Sequence, residues 1–373
     1  MNLDADTALL GGLSPQAFMR RVWQRRPLLV RAAVPGVVPP VDRAGLFALA
    51  ARDDVRSRLV VREGRIWRLR HGPIPRRSLP ALAQRRWTLL VQGVDVRVDA
   101  AHDLLARFRF VGDARLDDLM VSWASDGGGV GPHVDSYDVF LLQVQGRRRW
   151  RVGPVGDPAL VPGLPLRILR RFEPRHDWLL EPGDMLYLPP GWAHDGVAVG
   201  ECMTCSIGFR APTAGEAAQA LLERLADHPA DEAGARFRDP HETATAHPAR
   251  LPQGLADFAR QALARSLAVP DAVPTALGEW LSEPDRGAHF APRSGLAPGL
   301  HVDRATRMLY DARRIFVNGE AFVAAGQDAV LLRRLADRRR LSARDERVMS
   351  DEARAVVQDW IDAGWIHQGE NEE

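Results

Sequence analysis

The chain has 373 residues, of which 46% are hydrophobic and 26% charged. At roughly 100 to 200 residues per domain that length predicts two or three domains, with enough apolar material to bury substantial cores. A formal net charge of +2 excludes an overall basic field for nucleic acid, and no apolar run reaches the roughly 18 residues of a membrane span. Lysine is absent, so all 50 cationic residues are arginine, and two cysteines are too few for a disulfide framework. The stretch from Met1 to Asp6 has no basic start and no long apolar segment, so a cytoplasmic protein is expected.

Ser14-Pro15 ahead of Phe18, Val22 and Trp23 predicts a capped helix with proline at its first position and one apolar face. Leu28 to Val30 follows as a strand. From Leu119 to Phe209, runs rich in Val, Leu, Phe and Trp alternate with Gly and Pro turns: Met120 to Trp123, Tyr137 to Val144, Arg148 to Val152, Met185 to Leu188 and Met203 to Phe209. Short strands so spaced predict an antiparallel barrel or jelly roll, which with its N-terminal elaboration takes residues 1–212.

At Pro212 the period becomes helical. Thr213-Ala-Gly-Glu216 is a capping box, followed by Ala218, Leu221, Leu222 and Leu225 at helical spacing, then by Leu255, Phe258, Ala262 and Leu263, and by a third stretch from Leu277 to Leu281. Residues 213–288 are therefore expected to be all-helical. Their apolar stripes are expected to form the twofold interface of a homodimer, symmetric dimers being the commonest oligomers, or alternatively to cover the barrel. The Pro-, Gly- and Ala-rich segment from Pro284 to Leu300 reads as a linker. In 289–373, Asn318-Gly319 between two apolar runs predicts a hairpin, and helical patterns follow at Ala329 to Leu335 and Asp351 to Ile361, then Gly364 and a Trp365-Ile366 strand. That order resembles a winged helix. No evident basic recognition face accompanies it, so no nucleic-acid partner is expected. The fold class is α+β.

His133-Val-Asp135 carries the chemistry. Residues two apart on a strand share a face, so an imidazole and a carboxylate stand side by side, and His194 would arrive from another strand. Two imidazoles and one carboxylate on one face of an octahedron suit Fe(II) with open positions for a co-substrate and O2, whereas four closed ligands would suit structural zinc. Gly127-Gly-Gly-Val-Gly131-Pro132 ahead of the first histidine would let the backbone approach a bound group closely. Alternation along 147–152 turns Arg147, Arg149 and Arg151 outward and Arg148, Trp150 and Val152 inward. A buried guanidinium must meet a carboxylate, either that of a dicarboxylic co-substrate such as 2-oxoglutarate or one of the protein's own. Ser122, Thr204 and Ser206 are candidates to complete that pocket. Tyr137 and Asp138, just past the ligand pair, could hold a cationic side chain of a substrate. Cys202 and Cys205, three apart on a strand, face opposite sides and read as core filling.

The runs Asp118-Leu-Met120, Gly127 to Asp135, Tyr137-Asp-Val-Phe140, Gly146 to Gly153, Glu181-Pro-Gly-Asp184, Pro189-Pro-Gly191 and Ser206 to Pro212 resemble the JmjC-type ribosomal oxygenases. Nearest is the bacterial branch that hydroxylates an arginine of large-subunit ribosomal protein sixteen. The resemblance implies a JmjC double-stranded β-helix, a helical dimerisation region and a winged helix. It implies Fe(II) on His133, Asp135 and His194, 2-oxoglutarate on Arg148, O2 as co-substrate and a ribosomal protein as substrate. Three alternatives stay open on the residues alone: hydroxylation of another residue such as histidine, N-methyl demethylation, and a non-catalytic cupin regulator with a winged helix.

Overall fold

The computed structural model describes residues 2–227, 236–241, 243–285, 287–293 and 295–369. They form two compact units, Met1–Ala211 with Asp285–His289, and Pro212–Pro284 with Phe290–Glu373.

The first unit is built on one ten-stranded antiparallel sheet. Its strands are β1 (Leu28–Val30), β2 (Ser57–Glu63), β3 (Ile66–His71), β4 (Trp87–Val91), β5 (Leu116–Ala124), β6 (His133–Val134), β7 (Val139–Pro154), β8 (His176–Leu180), β9 (Met185–Leu188) and β10 (Trp192–Phe209). The order is β1-β9-β7-β10-β5-β4-β2-β3, with β6 on β10 and β8 on β7. Helices α1 (Pro15–Arg21), α2 (Arg43–Ala50) and α3 (Asp99–Ala106) accompany it. Ser14 caps α1 by accepting from the N–H of Ala17, with Pro15 at the first position.

Two of the strands are longer than their sequence patterns suggest. β7 joins the predicted runs 137–144 and 148–152 into sixteen residues, while β10 has eighteen residues and begins eleven positions before Met203. Tyr137 lies just outside β7. The two strands pair along most of their length, with register shifts between Val199 and Met203 and between Met203 and Thr204. Gly146 marks the bend: its φ is +63°, and a Cβ there would come within 2.1 Å of the Glu201 carbonyl oxygen. A glycine bulge thus appears in the sequence as a break in the apolar pattern although pairing continues through it.

Strand alternation divides the sheet into two faces. Phe140, Leu142, Val121, Trp123 and Ile207 point into the main core with Phe18, Phe47 and Phe108 from the helical layer. The rings of Phe18 and Tyr187 are 5.1 Å apart, and those of Trp87 and Trp123 are 4.5 Å apart. Val139, Leu141, Arg148 and Trp150 point the other way, into the barrel. Strands covered on both faces read as nearly continuous apolar runs, which is why the pattern around 139–144 shows little alternation. Cys202 and Cys205 are buried, unpaired and in separate clusters.

In the second unit, α4 (Ala214–Asp227) starts at the predicted capping box: the Thr213 N–H donates to Glu216 Oε2 at 2.7 Å, and the Glu216 N–H to Thr213 Oγ1 at 3.2 Å. Next come α5 (Gln253–Ala268) and α6 (Ala272–Ser282), then β11 (Gly299–Val302), β12 (Met308–Tyr310), β13 (Arg314–Val317), β14 (Glu320–Val323), α7 (Gly326–Arg338), β15 (Arg340–Ser342), α8 (Ala343–Glu346), α9 (Asp351–Asp362) and β16 (Ile366–Gly369). The β13–β14 hairpin turns on Asn318 and Gly319, at φ +50° and +92°, the left-handed pair that a two-residue turn demands. Leu300, Ile315, Leu331, Leu335 and Trp360 form the core of this winged helix. The Phe316 ring lies on Gly278 of α6, so the helical stretch and the winged helix share one unit. The segment 284–300 is also more than a spacer, since Asp285 belongs to the first unit and accepts from Arg56 at 2.8 Å.

No helix among the described residues is long and apolar enough to cross a membrane.

Candidate metal centre and its cavity

His133 and His194 face each other as a register pair of β6 and β10. Asp135 follows β6 by one residue, and the Gly191 N–H donates to its carbonyl at 3.2 Å. His133 Nε2 lies 3.8 Å from Asp135 Oδ1, His194 Nε2 lies 3.5 Å from Asp135 Oδ2, and the imidazole centroids are 4.2 Å apart. Among the described residues these three form the one cluster whose ligand atoms converge enough to hold a metal ion.

The second ring nitrogens complete the fit. His133 Nδ1 donates to the Gly131 carbonyl at 2.9 Å and His194 Nδ1 to that of Trp192 at 3.1 Å, so each Nε2 lone pair faces the other ligands. Burial, aided by the neighbouring His133, lowers His194 to about 4, so at neutral pH it presents an unprotonated imidazole. The arrangement fits one octahedral divalent cation with half its positions open.

The glycine loop packs against β10. Gly129 packs so closely on β10 that a Cβ would come within 2.5 Å of the Gly196 carbonyl oxygen. The loop is laced to that strand by hydrogen bonds from the Gly127 N–H to Ala198 and from the Ala198 N–H to Gly128, at 3.0 and 2.9 Å. The glycines admit a neighbouring strand and so fix where His133 begins.

The triad opens on a cavity of about 380 Å³ inside the barrel. Arg148 projects into it from β7 as alternation predicts and is 5% exposed. Its Nε and Nη2 are shut off from solvent with no hydrogen-bond partner, and its guanidinium carbon lies 5.6 Å from the Trp150 ring centroid. The alternative of a structural ion pair has no partner among the described residues.

Ser122 and Ser206 line the same cavity. Thr204 lies beyond it and donates to Gln143 Oε1 at 2.9 Å. Tyr137, 39% exposed, stands at the mouth. Asp138 is not brought there. As the next residue along the strand direction it turns to the opposite face, where it is fully buried and accepts from Tyr187 Oη at 2.6 Å, Gln24 Nε2 at 2.8 Å and Arg115 Nη2 at 3.3 Å. It fastens the barrel to the N-terminal segment, and burial, aided by this hydrogen bond, raises the Tyr187 phenol above its usual range.

Sequence reasoning missed the wall made by β2 to β5: Arg58, Thr88, Met120, Asp117 and Asp118 all line the cavity. One signal was available. The alternation that turns Ser122 inward also turns Met120 and Asp118 inward. Burial, with Asp95 and Asp117 close by, raises Asp118 to about 7 against the pull of the Gly93 N–H. A carboxyl withdrawn from water and pressed by like charges is a seat for a cation.

A sequence model of the JmjC domain matches residues 103–217, and one of the ROXA-like winged helix matches residues 261–367. The ribosomal protein uL16 3-hydroxylase of Escherichia coli is 36% identical over 318 residues, covering 84% of this chain and 81% of that one. A probable ribosomal oxygenase of Haemophilus influenzae is 36% identical over 212 residues, covering 56% of this chain and 52% of that one. The solved structure of the Escherichia coli ribosomal oxygenase YcfD with cobalt and 2-oxoglutarate aligns with a TM-score of 0.79 at 31% identity, over 95% of this chain and 98% of that one.

Proposed function

The chain belongs to the JmjC ribosomal oxygenases, and from that membership we propose that it is an Fe(II)- and 2-oxoglutarate-dependent hydroxylase acting on an arginine of ribosomal protein uL16. The observation that carries the reading is Arg148, an unpartnered guanidinium in the same cavity as three convergent metal ligands. His133, Asp135 and His194 would hold Fe(II). Arg148 would take the distal carboxylate of 2-oxoglutarate through two parallel N–H···O bonds, with the Ser122 and Ser206 hydroxyls beside it. When bound, the iron with 2-oxoglutarate and O2 supplies the oxidising power to hydroxylate a C–H bond, leaving succinate and CO2.

The substrate's identity rests on the opposite wall. Asp118 suits a guanidinium better than a neutral imidazole, and Tyr137 adds an aromatic face at the mouth. This side holds the substrate cation while the apolar lining from Met120, Val139 and Leu141 keeps water from the reacting carbon.

Two expectations follow. Asp118→Asn should lower kcat/KM for an arginine peptide by about 10²-fold, close to 3 kcal/mol for a buried charged hydrogen bond. Because the free carboxyl titrates at about 7 and arginine stays cationic throughout, wild-type kcat/KM should rise as pH passes upward through that value. The variant should lose that limb; a wild-type profile flat from pH 6 to 8 would remove Asp118 from the substrate's path. The function itself is tested by fragment mass spectrometry of uL16 after incubation with the loaded enzyme. A gain of one oxygen on an arginine is expected, and a gain on histidine, or loss of a methyl group, would replace the reading.

We also read this enzyme as a homodimer joined through α5. That helix has no buried residue among those described, yet Leu255, Leu263 and Leu267 recur on one face, the last two 55% and 48% exposed. Light scattering after size exclusion should give two chains for the wild type and one for Leu263→Glu. A single-chain mass for wild type at micromolar concentration would reject the dimer.

A further inference from the structure

Arg58 stands where the barrel cavity meets a second, outer cavity of about 1010 Å³ in the same unit. Arg58, Gln92 and Tyr137 line both spaces, so they form the doorway between them. The outer cavity has two other arginines, and each is engaged. Arg52 grips Asp54 through Nε and Nη2 at 2.8 and 2.7 Å, and Arg56 grips Asp285 at 2.8 Å.

Arg58 differs. Its Nε is shut off from solvent with no acceptor among the described residues, and its Nη2 meets only the thioether of Met120, at 3.9 Å. The local sequence explains why. On β2, Arg58 and Val60 share the inward face, and the register places Leu90 of β4 directly opposite Arg58. Its other register partner is His71 of β3, and no side-chain hydrogen bond joins Arg58 to either partner among the described residues, so the guanidinium is held at the doorway with its buried Nε lacking an acceptor. A buried donor without an acceptor costs stability and is kept where a ligand supplies one.

We infer that Arg58 is a substrate-binding residue that donates to a main-chain carbonyl of the peptide where the peptide passes from the outer cavity toward the barrel. The inference rests on the reading that this chain hydroxylates a peptide side chain. A side chain reaching the metal leaves its own backbone at the mouth beside Tyr137, and the outer cavity is the space continuous with that mouth. The acceptor is a neutral carbonyl rather than a carboxylate, because Asp117, Asp118 and Asp135 line the barrel side of the doorway and repel a further anion. A carbonyl also recurs at every residue, so the contact sets the register of the peptide whatever its neighbouring side chains.

The test uses full-length enzyme loaded with Mn(II) and 2-oxoglutarate, and a fluorescent uL16 peptide containing the target arginine. Peptide Kd is read by anisotropy for wild type, Arg58→Gln and Arg58→Leu, each checked for an intact melting transition. Both variants should weaken peptide binding at least tenfold, and the ratio of peptide Kd to 2-oxoglutarate Kd should rise with it. Shortening the peptide on the outer-cavity side should abolish the difference between wild type and variants. Peptide Kd within twofold of wild type in both variants would overturn the inference. So would a loss reproduced by changing the peptide's own carboxylates to amides, since the acceptor would then be a side chain. Binding is read apart from turnover, so a wild type that binds the peptide without hydroxylating it refutes the functional reading while the Arg58 comparison still stands.

Discussion

His133→Ala and Asp135→Ala are each expected to lower peptide-dependent release of succinate from 2-oxoglutarate at least about 10³-fold, or about 4 kcal/mol of transition-state stabilisation. The geometry makes the loss nearly complete for either one. Each side chain offers a single ligand atom, and these lie 3.5 to 3.8 Å from Asp135's oxygens to the two imidazoles, so removing one opens a third of the protein's contribution to the ion. Folding should survive, because both side chains are only partly buried and the β6–β10 pairing that carries them is made by backbone. A second readout separates ligation from collapse. Mn(II) at about a hundred times its dissociation constant should stabilise the wild type by about 2.7 kcal/mol in a thermal melt, and neither variant. Turnover preserved in both variants would end the metal-centred reading.

Arg148→Met is expected to have two effects of opposite sign. Affinity for 2-oxoglutarate should fall about 10²-fold, near 3 kcal/mol, because two charge-assisted hydrogen bonds to the distal carboxylate are lost. The ligand-free protein should meanwhile become more stable by about 1–3 kcal/mol, since Nε and Nη2 are buried without acceptors and a thioether of similar reach packs against Trp150 at no such cost. A structural ion pair would give the reverse in the second measurement, with the free protein destabilised. Calorimetric titration of 2-oxoglutarate and melting of the metal-free protein decide between them, and a drop in melting temperature without any change in 2-oxoglutarate affinity would sink the assignment.

The His133–Asp135 pair and Arg148 were legible because each depends on strand alternation alone, whereas His194 is brought to them by the pairing of β10 with β6. His133 and Asp135 are two apart, and the run Arg147 to Val152 shows exposed and buried residues in strict turn, as β7 realises. Caps and turns were equally local: Ser14-Pro15, the Thr213–Glu216 box and Asn318-Gly319 each act within four residues. Asp138 misled for the same reason that Tyr137 did not. The two are adjacent, so only one could face the cavity, and which one depends on a layer of helices that the sequence around 137 does not announce.

By itself, then, the chain's residue order determined what needs only neighbours along the backbone: strand faces, helix starts, the hairpin and the ligand pair. Tertiary structure alone decided that β7 and β10 run unbroken past their glycine bulges, that β2 to β4 close the cavity with Arg58 at its doorway, and that Gly129 seats the loop against β10. These are contacts between strands tens of residues apart, whose selection comes from packing and from satisfying buried polar groups together, and no periodicity within one segment records them.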